Sequence, residues 1–148
     1  MNTAIISAGS NINPENNLKL TREILQKELH LAACAQMLRT EPVGFADQPG
    51  FINTAFLIHT EFDRASLAAY LKRVETRLGR VRTVNKFGPR TIDLDIAVFN
   101  GTITDPDVFE RAFLRELILE LMPELQGTFS LLDMKGKNHG AGNQGGPV

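Results

Sequence analysis

The chain has 148 residues, enough for one domain with a substantial core, and its 43% hydrophobic and 22% charged content is that of an ordinary globular protein. A formal net charge of -1 excludes a chain-wide basic surface for nucleic acid or membrane, and no run approaches the roughly 20 apolar residues of a membrane span. The opening MNTAIISAGS lacks the basic n-region of a signal peptide, and the single cysteine, Cys34, rules out an internal disulfide, so a cytoplasmic protein is expected.

In chain order, Thr3–Ala8 is a short apolar run ending in Gly9-Ser10 and reads as a buried strand. Asn13 is an expected N-cap with Pro14 at the first helical position, and the helix should run to about Leu29. A second strand is expected over Leu31–Arg39, then a Pro- and Gly-rich loop over Thr40–Gly50. Phe51–Thr60 reads as a mostly apolar, central strand. Asp63 should cap a second helix with an apolar stripe of Leu67, Leu71, Val74 and Leu78, ended by Gly79. A loop over Arg80–Arg90 precedes a strand over Thr91–Phe99, with a short edge piece at Thr102–Thr104 and a third helix over Phe109–Leu121.

The order β-α-β-β-α-β predicts an α+β fold of ferredoxin-like type: a mainly antiparallel sheet with helices packed on it and an extra C-terminal helix. Residues 1–126 are expected to form one domain. Residues 127–148 read as a tail, disordered from about Gly136, where the composition falls to glycine and polar residues. A fold of this type decides no function by itself.

Charge is concentrated in one segment. Between Lys72 and Arg90 stand seven basic residues and one acid, Glu75, a net of +6 in a chain whose total is -1. Lys72, Arg73 and Arg77 fit a solvated helix face. Arg80, Arg82 and Arg90 lie instead in a Gly- and Pro-containing loop that leads directly into Asp93 and Asp95. Side chains two apart on a strand share a face, so the two carboxylates point the same way and repel. Two arrangements relieve that repulsion: salt bridges to the loop arginines, or Mg²⁺ on the carboxylates with arginines on the phosphates that the metal also binds. The pair taken alone also fits exposed positions on an edge strand. The Gly9-Ser10-Asn11 turn lacks the Lys-Ser/Thr of a P-loop, and His30, His59, His139 and Cys34 form no metal-ligand spacing.

The motifs GSN at 9–11, RTEPVG at 39–44, DQPGFIN at 47–53, ETRLGRVR at 75–82 and FGPRTIDLDI at 87–96 resemble, in order and spacing, the 6-hydroxymethyl-7,8-dihydropterin pyrophosphokinase family of folate biosynthesis. The resemblance implies pyrophosphoryl transfer from ATP to the pterin's hydroxymethyl oxygen, with two Mg²⁺ ions and AMP as leaving group. By resemblance Asp93 and Asp95 hold the metals, with Asp95 also helping to deprotonate the hydroxyl and Arg82 and Arg90 acting in catalysis. Glu75, Arg80, Arg82, Arg90, Ile96 and Arg111 match nucleotide-side positions. Asn53, with Thr40 and Val43 nearby, matches the pterin edge, and Phe51 and Phe113 match the aromatics that sandwich the ring. The implied partners are small molecules, with no nucleic acid or membrane, for a monomer. The chain departs from the family pattern after Phe99, where no Pro-His dipeptide occurs and Asp105 and Asp107 bring negative charge. Glu41 replaces a usual apolar residue, and Phe87 a usual tryptophan. Besides the active enzyme, a diverged paralogue that binds pterin or nucleotide without efficient turnover stays open. A ferredoxin-like RNA-binding module is disfavoured because the chain is not basic and no strand carries an aromatic-rich pattern.

Overall fold

The computed structural model describes residues 1–41, 50–80 and 91–131. The strands are β1 (Asn2–Ser10), β2 (His30–Cys34), β3 (Leu38–Thr40), β4 (Phe51–Thr60), β5 (Asp93–Phe99) and β6 (Thr102–Ile103). The helices are α1 (Pro14–Glu28), α2 (Arg64–Arg77), α3 (Ala112–Leu121) and a last helix, α4, over residues 126–131. Short 3-10 turns at Pro106–Phe109 and Pro123–Leu125 flank α3. The strands form one open antiparallel sheet in the order β2-β4-β1-β5-β6, and β3 pairs with the start of β4. An α+β fold was expected, and the chain has one.

Alternation along the central strands divides the apolar residues between two faces. Ala4, Ile6 and Ala8 of β1, Ile52, Phe56 and Ile58 of β4, and Leu94 of β5 pack against Leu18 and Leu25 of α1 and Leu67, Leu71 and Val74 of α2. On the opposite face Ile5, Ala55, Ala97 and Val98 meet Leu114, Leu117 and Ile118 of α3, and Phe129 of α4 closes the same cluster. A register irregularity between Ile5 and Ile6 pairs Val98 with Ile5 and Ile96 with Ile6. The unpaired extra residue, Ala97, is why neighbours 97 and 98 both reach the α3 face. Because α3 covers only part of its face, the β1, β4 and β5 side chains beyond its first turn face a cavity.

Three local expectations are corrected. Asn13 adopts the left-handed conformation (φ 48°, ψ 50°) and makes no side-chain cap. Asn17 instead donates its Nδ2 to the Ile12 carbonyl at 2.6 Å. The expected strand over residues 31–39 is split, because the Gln36 amide donates to the Glu120 carboxylate of α3 at 3.1 and 3.2 Å. The third helix begins at Ala112 rather than Phe109: the Asp105 carboxylate accepts from the Asp107 amide at 3.0 Å, closing a separate turn before an extended Arg111. Elsewhere Asp63 caps α2 by accepting from the Ser66 amide at 2.7 Å. Gly79 ends that helix with φ 92°, where a side chain would be strained.

Leu117 is fully buried between the sheet and α3. Leu117→Ala is expected to lower the unfolding free energy by about 2–5 kcal/mol, the usual range for a buried leucine truncated to alanine. Urea denaturation measures it, and a loss below about 1 kcal/mol would contradict the packing of α3 on the sheet.

Candidate active site

The cavity beyond α3 has a volume of ≈ 470 Å³, within the usual range for a small-molecule site. Its floor is the central sheet. Gly9 of β1 pairs with Asn53 of β4 on one side and with Asp93 of β5 on the other, and Ser7 pairs with Asp95. These residues alternate with core residues, so their side chains share one face. A single backbone residue therefore separates an amide side chain from the first carboxylate.

Gly9 is glycine for a visible reason. A Cβ there would lie 2.7 Å from Asn53 Oδ1 and 3.8 Å from the Phe51 ring, so any larger residue would displace the amide. Asn53 Nδ2 donates to Thr40 Oγ1 at 2.7 Å, which fixes the amide's orientation and leaves Oδ1 over Gly9. Phe51 and, from the first turn of α3, Phe113 supply apolar wall on the same cavity.

The cavity as a whole is strongly acidic. Among the described lining residues Glu41, Asp93, Asp95, Asp105, Asp107 and Glu110 are acids, opposed by Arg80 and Arg111. The acids after β6 arrive there because Asn100-Gly101, both at positive φ, turn the chain back along β5. The Thr104 hydroxyl and amide then bond the Ile96 and Ala97 carbonyls at 2.7 and 2.9 Å. Arg111 approaches Asp107 no closer than 3.9 Å, a weak exposed pair.

Asp95 opens to the cavity, yet its carboxyl is pushed up to about 7. The cavity walls strip water from it, and Asp93, Asp105 and Glu75 add negative charge that Lys72 only partly offsets. Loss of solvation, with Asp107 and Asp93 nearby, also raises Asp105, against the stabilising Asp107 amide and Arg111.

Behind the cavity wall lies Glu75, on the buried face of the last turn of α2. Its Oε2 accepts from the Leu94 amide at 2.7 Å and from Arg80 Nη1 at 3.0 Å. The same Arg80 nitrogen donates to Asp93 Oδ1 at 2.9 Å and to the Ile92 carbonyl at 3.2 Å.

The structure thus brings Asp93, Asp95, Arg80, Arg111, Phe51, Asn53 and Phe113 to one cavity, with Thr40 bonded to Asn53 from its edge. Glu75 stands behind that wall, and Ile96 packs toward α1 and α2 on the other face. Val43, Arg82, Arg90 and Phe87 lie outside the described residues, as does the tail from Gly136. Reading the chain without its register missed Ser7, Glu110 and Leu114 as wall residues. Ser7 was marked only by standing two residues before Gly9.

The family model for 7,8-dihydro-6-hydroxymethylpterin-pyrophosphokinase (HPPK) matches residues 5–123. The chain belongs to this family. The 2-amino-4-hydroxy-6-hydroxymethyldihydropteridine pyrophosphokinase of Haemophilus influenzae is 32% identical over 136 residues, covering 84% of this chain and 84% of that protein. Its namesake in Bacillus subtilis is also 32% identical, over 84% of this chain and 81% of its own length. The mitochondrial folate synthesis bifunctional protein of Pisum sativum is 32% identical over 84% of this chain, a match covering 25% of that longer protein.

The donor set suits the Mg²⁺ that the pyrophosphokinase resemblance implies. Among the described residues no three His, Cys, Asp or Glu side chains are grouped tightly enough to hold an ion by themselves. Asp93 and Asp95 offer two hard oxygen donors on one face, beside open cavity. Mg²⁺ characteristically takes one or two carboxylates and completes its shell with water and substrate phosphate.

The raised Asp95 also has a consequence for stability. An acid whose carboxyl rises from 3.8 to about 7 on folding binds its proton more tightly in the folded chain. Without divalent metal, stability from this group is therefore lost as pH climbs through that window. Asp95→Asn, which cannot ionise, is expected to show a shallower loss of stability between about pH 4 and pH 8, and to exceed the parent at the upper end. Urea midpoints across that range check it, and equal slopes would contradict the crowding of carboxylates around Asp95.

Proposed function

We propose that this chain transfers pyrophosphate from ATP to 6-hydroxymethyl-7,8-dihydropterin in folate synthesis, releasing AMP, with two Mg²⁺ ions held at Asp93 and Asp95. Membership of the pyrophosphokinase family supports the reaction. The observation that carries the site assignment is the pairing of Gly9 with Asn53 on one side and Asp93 on the other. It sets a flat, edge-recognising subsite beside a carboxylate pair in a single cavity.

At the pterin end Asn53 presents Oδ1 to ring N–H donors, with Thr40 holding its Nδ2, while Phe51 and Phe113 take the two faces of the ring. Val43 is assigned to the same subsite by its place in RTEPVG. At the phosphate end Asp93 and Asp95 would hold Mg²⁺, which would supply positive charge to offset the carboxylate pair and the substrate phosphates. Arg80 and Arg111 stand on the cavity wall for the phosphates. Arg82 and Arg90 are assigned there by their motif positions, and their planar guanidinium forks match the oxygens of the transferred group. The pterin hydroxyl oxygen bonds to the β-phosphorus as the bond from that phosphorus to the AMP oxygen breaks, and the Asp95 carboxylate accepts the hydroxyl proton. Such transfers depend on positioning and charge stabilisation more than on covalent help. The proposal extends to a cytoplasmic monomer. No helix among the described residues is long and apolar enough to cross a membrane.

The purified chain is expected to form AMP from ATP only with both Mg²⁺ and 6-hydroxymethyl-7,8-dihydropterin present. Asn53→Ala should weaken pterin binding by about 1–3 kcal/mol, because the ring edge is left unpaired. Tight pterin binding without AMP formation would instead establish a diverged paralogue, and unchanged pterin affinity in Asn53→Ala would remove that residue from the subsite.

A further inference from the structure

Two histidines that the proposed reaction leaves unused meet at the far end of the sheet. His30 opens β2 directly after α1, and His59 stands near the end of β4. Far apart in sequence, they are paired by the antiparallel ladder of β2 with β4. Directly opposed residues share a face of the sheet. The two rings lie with centroids 5.3 Å apart, tilted by 57° to one another. His30 is exposed and His59 half-buried, so the pair is open to solvent on one side.

The inner ring is held in place. On its other side β4 pairs with β1, which sets Thr3 opposite His59, and Thr3 Oγ1 lies 3.0 Å from His59 Nδ1. Thr3 is itself fixed through its backbone. Its amide donates to Asn100 Oδ1 at 2.9 Å, and its carbonyl accepts from the Asn100 amide at 2.7 Å. With the ring proton on Nδ1, the Thr3 hydroxyl accepts it and Nε2 keeps a free lone pair. A hydrogen bond on the second ring nitrogen is what orients ligand histidines in metal sites.

The spacing suits a shared ion. Two imidazoles on one tetrahedral Zn²⁺, each with its nitrogen about 2.0–2.1 Å from the metal, stand roughly 5 Å apart from centre to centre. His30 and His59 are already at that separation, and the exposed His30 ring can turn without disturbing the core. We propose that His30 and His59 form a two-histidine site for Zn²⁺, with His59 binding through Nε2, Thr3 holding its ring, and water completing the shell. Imidazole nitrogen suits Zn²⁺, whereas carboxylate oxygen suits Mg²⁺, so the two ends of the sheet select different cations. Thr3 lies six residues before Gly9 on β1, about 20 Å away along an extended strand, which keeps this site clear of Asp93 and Asp95.

Zn²⁺ alone, titrated into the full chain without nucleotide or pterin, tests this by NMR of the imidazole nitrogens. The His30 and His59 signals should shift together, with His59 bound through Nε2 and still protonated on Nδ1. His139, the third histidine, should not shift with them. In His30→Asn, and separately in His59→Asn, the Zn²⁺ needed to half-shift the remaining histidine should rise on the order of tenfold or more, because the chelating partner is gone. Thr3→Val should keep both histidines on the ion but raise that concentration on the order of tenfold. Asp93→Asn combined with Asp95→Asn should leave the response of both histidines intact. A shift of one histidine without the other, parent affinity in His30→Asn, or loss of the response in the aspartate double variant would overturn the inference.

Discussion

The site depends on the antiparallel pairing of β1 with both β4 and β5 at Gly9. That pairing sets Asn53 and Asp93 on opposite sides of one residue that has no side chain. Side chains alternate along a strand, so a slip of one residue in either ladder would send Asn53 or the aspartates into the α1–α2 core. The register is pinned from both faces: Ala8, Ile52 and Leu94 are buried on one, and Ile5, Ala55 and Ala97 on the other. The same hydrophobic packing that stabilises the sheet therefore fixes the distance between the two halves of the cavity.

Electrostatics then distinguishes those halves. The Asn53 end carries Phe51 and Phe113 with an oriented amide, and Glu41 follows Thr40 there. The other end gathers carboxylates closely enough to hold Asp95 at about 7, a cost that a divalent cation would relieve. The segment after Phe99 adds to that charge through Asp105 and Asp107, so in this pyrophosphokinase the turn following β5 is an acidic wall of the cavity.

Much of the fold was legible because its signals were local. Phe51–Thr60, Asp63 with Gly79, and the alternating Asp93–Phe99 each carried their own pattern, and the structure has elements there. Of what misled, one case was decided by a distant partner and one by a local cap. Glu120 of α3 takes the Gln36 amide and divides the second strand, and Asp105 caps a turn that separates Phe109 from α3. In the site, motif spacing marked Asp93, Asp95, Asn53 and Arg80. It said nothing of Ser7, which reaches the cavity only through its pairing with Asp95. Nor did it mark Glu75 as a buried partner of Arg80, because which face of α2 is buried is a tertiary property.

The central claim is that one cavity, organised about Gly9, holds the pterin beside Asn53 and the metal-bound phosphates beside Asp93 and Asp95. Crystals of the chain with Mn²⁺, a non-cleavable ATP analogue and the pterin, examined by anomalous scattering, test it most directly. The account predicts Mn²⁺ on the order of 2 Å from carboxylate oxygens of both Asp93 and Asp95, with the pterin edge on Asn53. Metal held by Asp105 and Asp107 with Asp95 unengaged, or pterin bound away from Asn53, would contradict it.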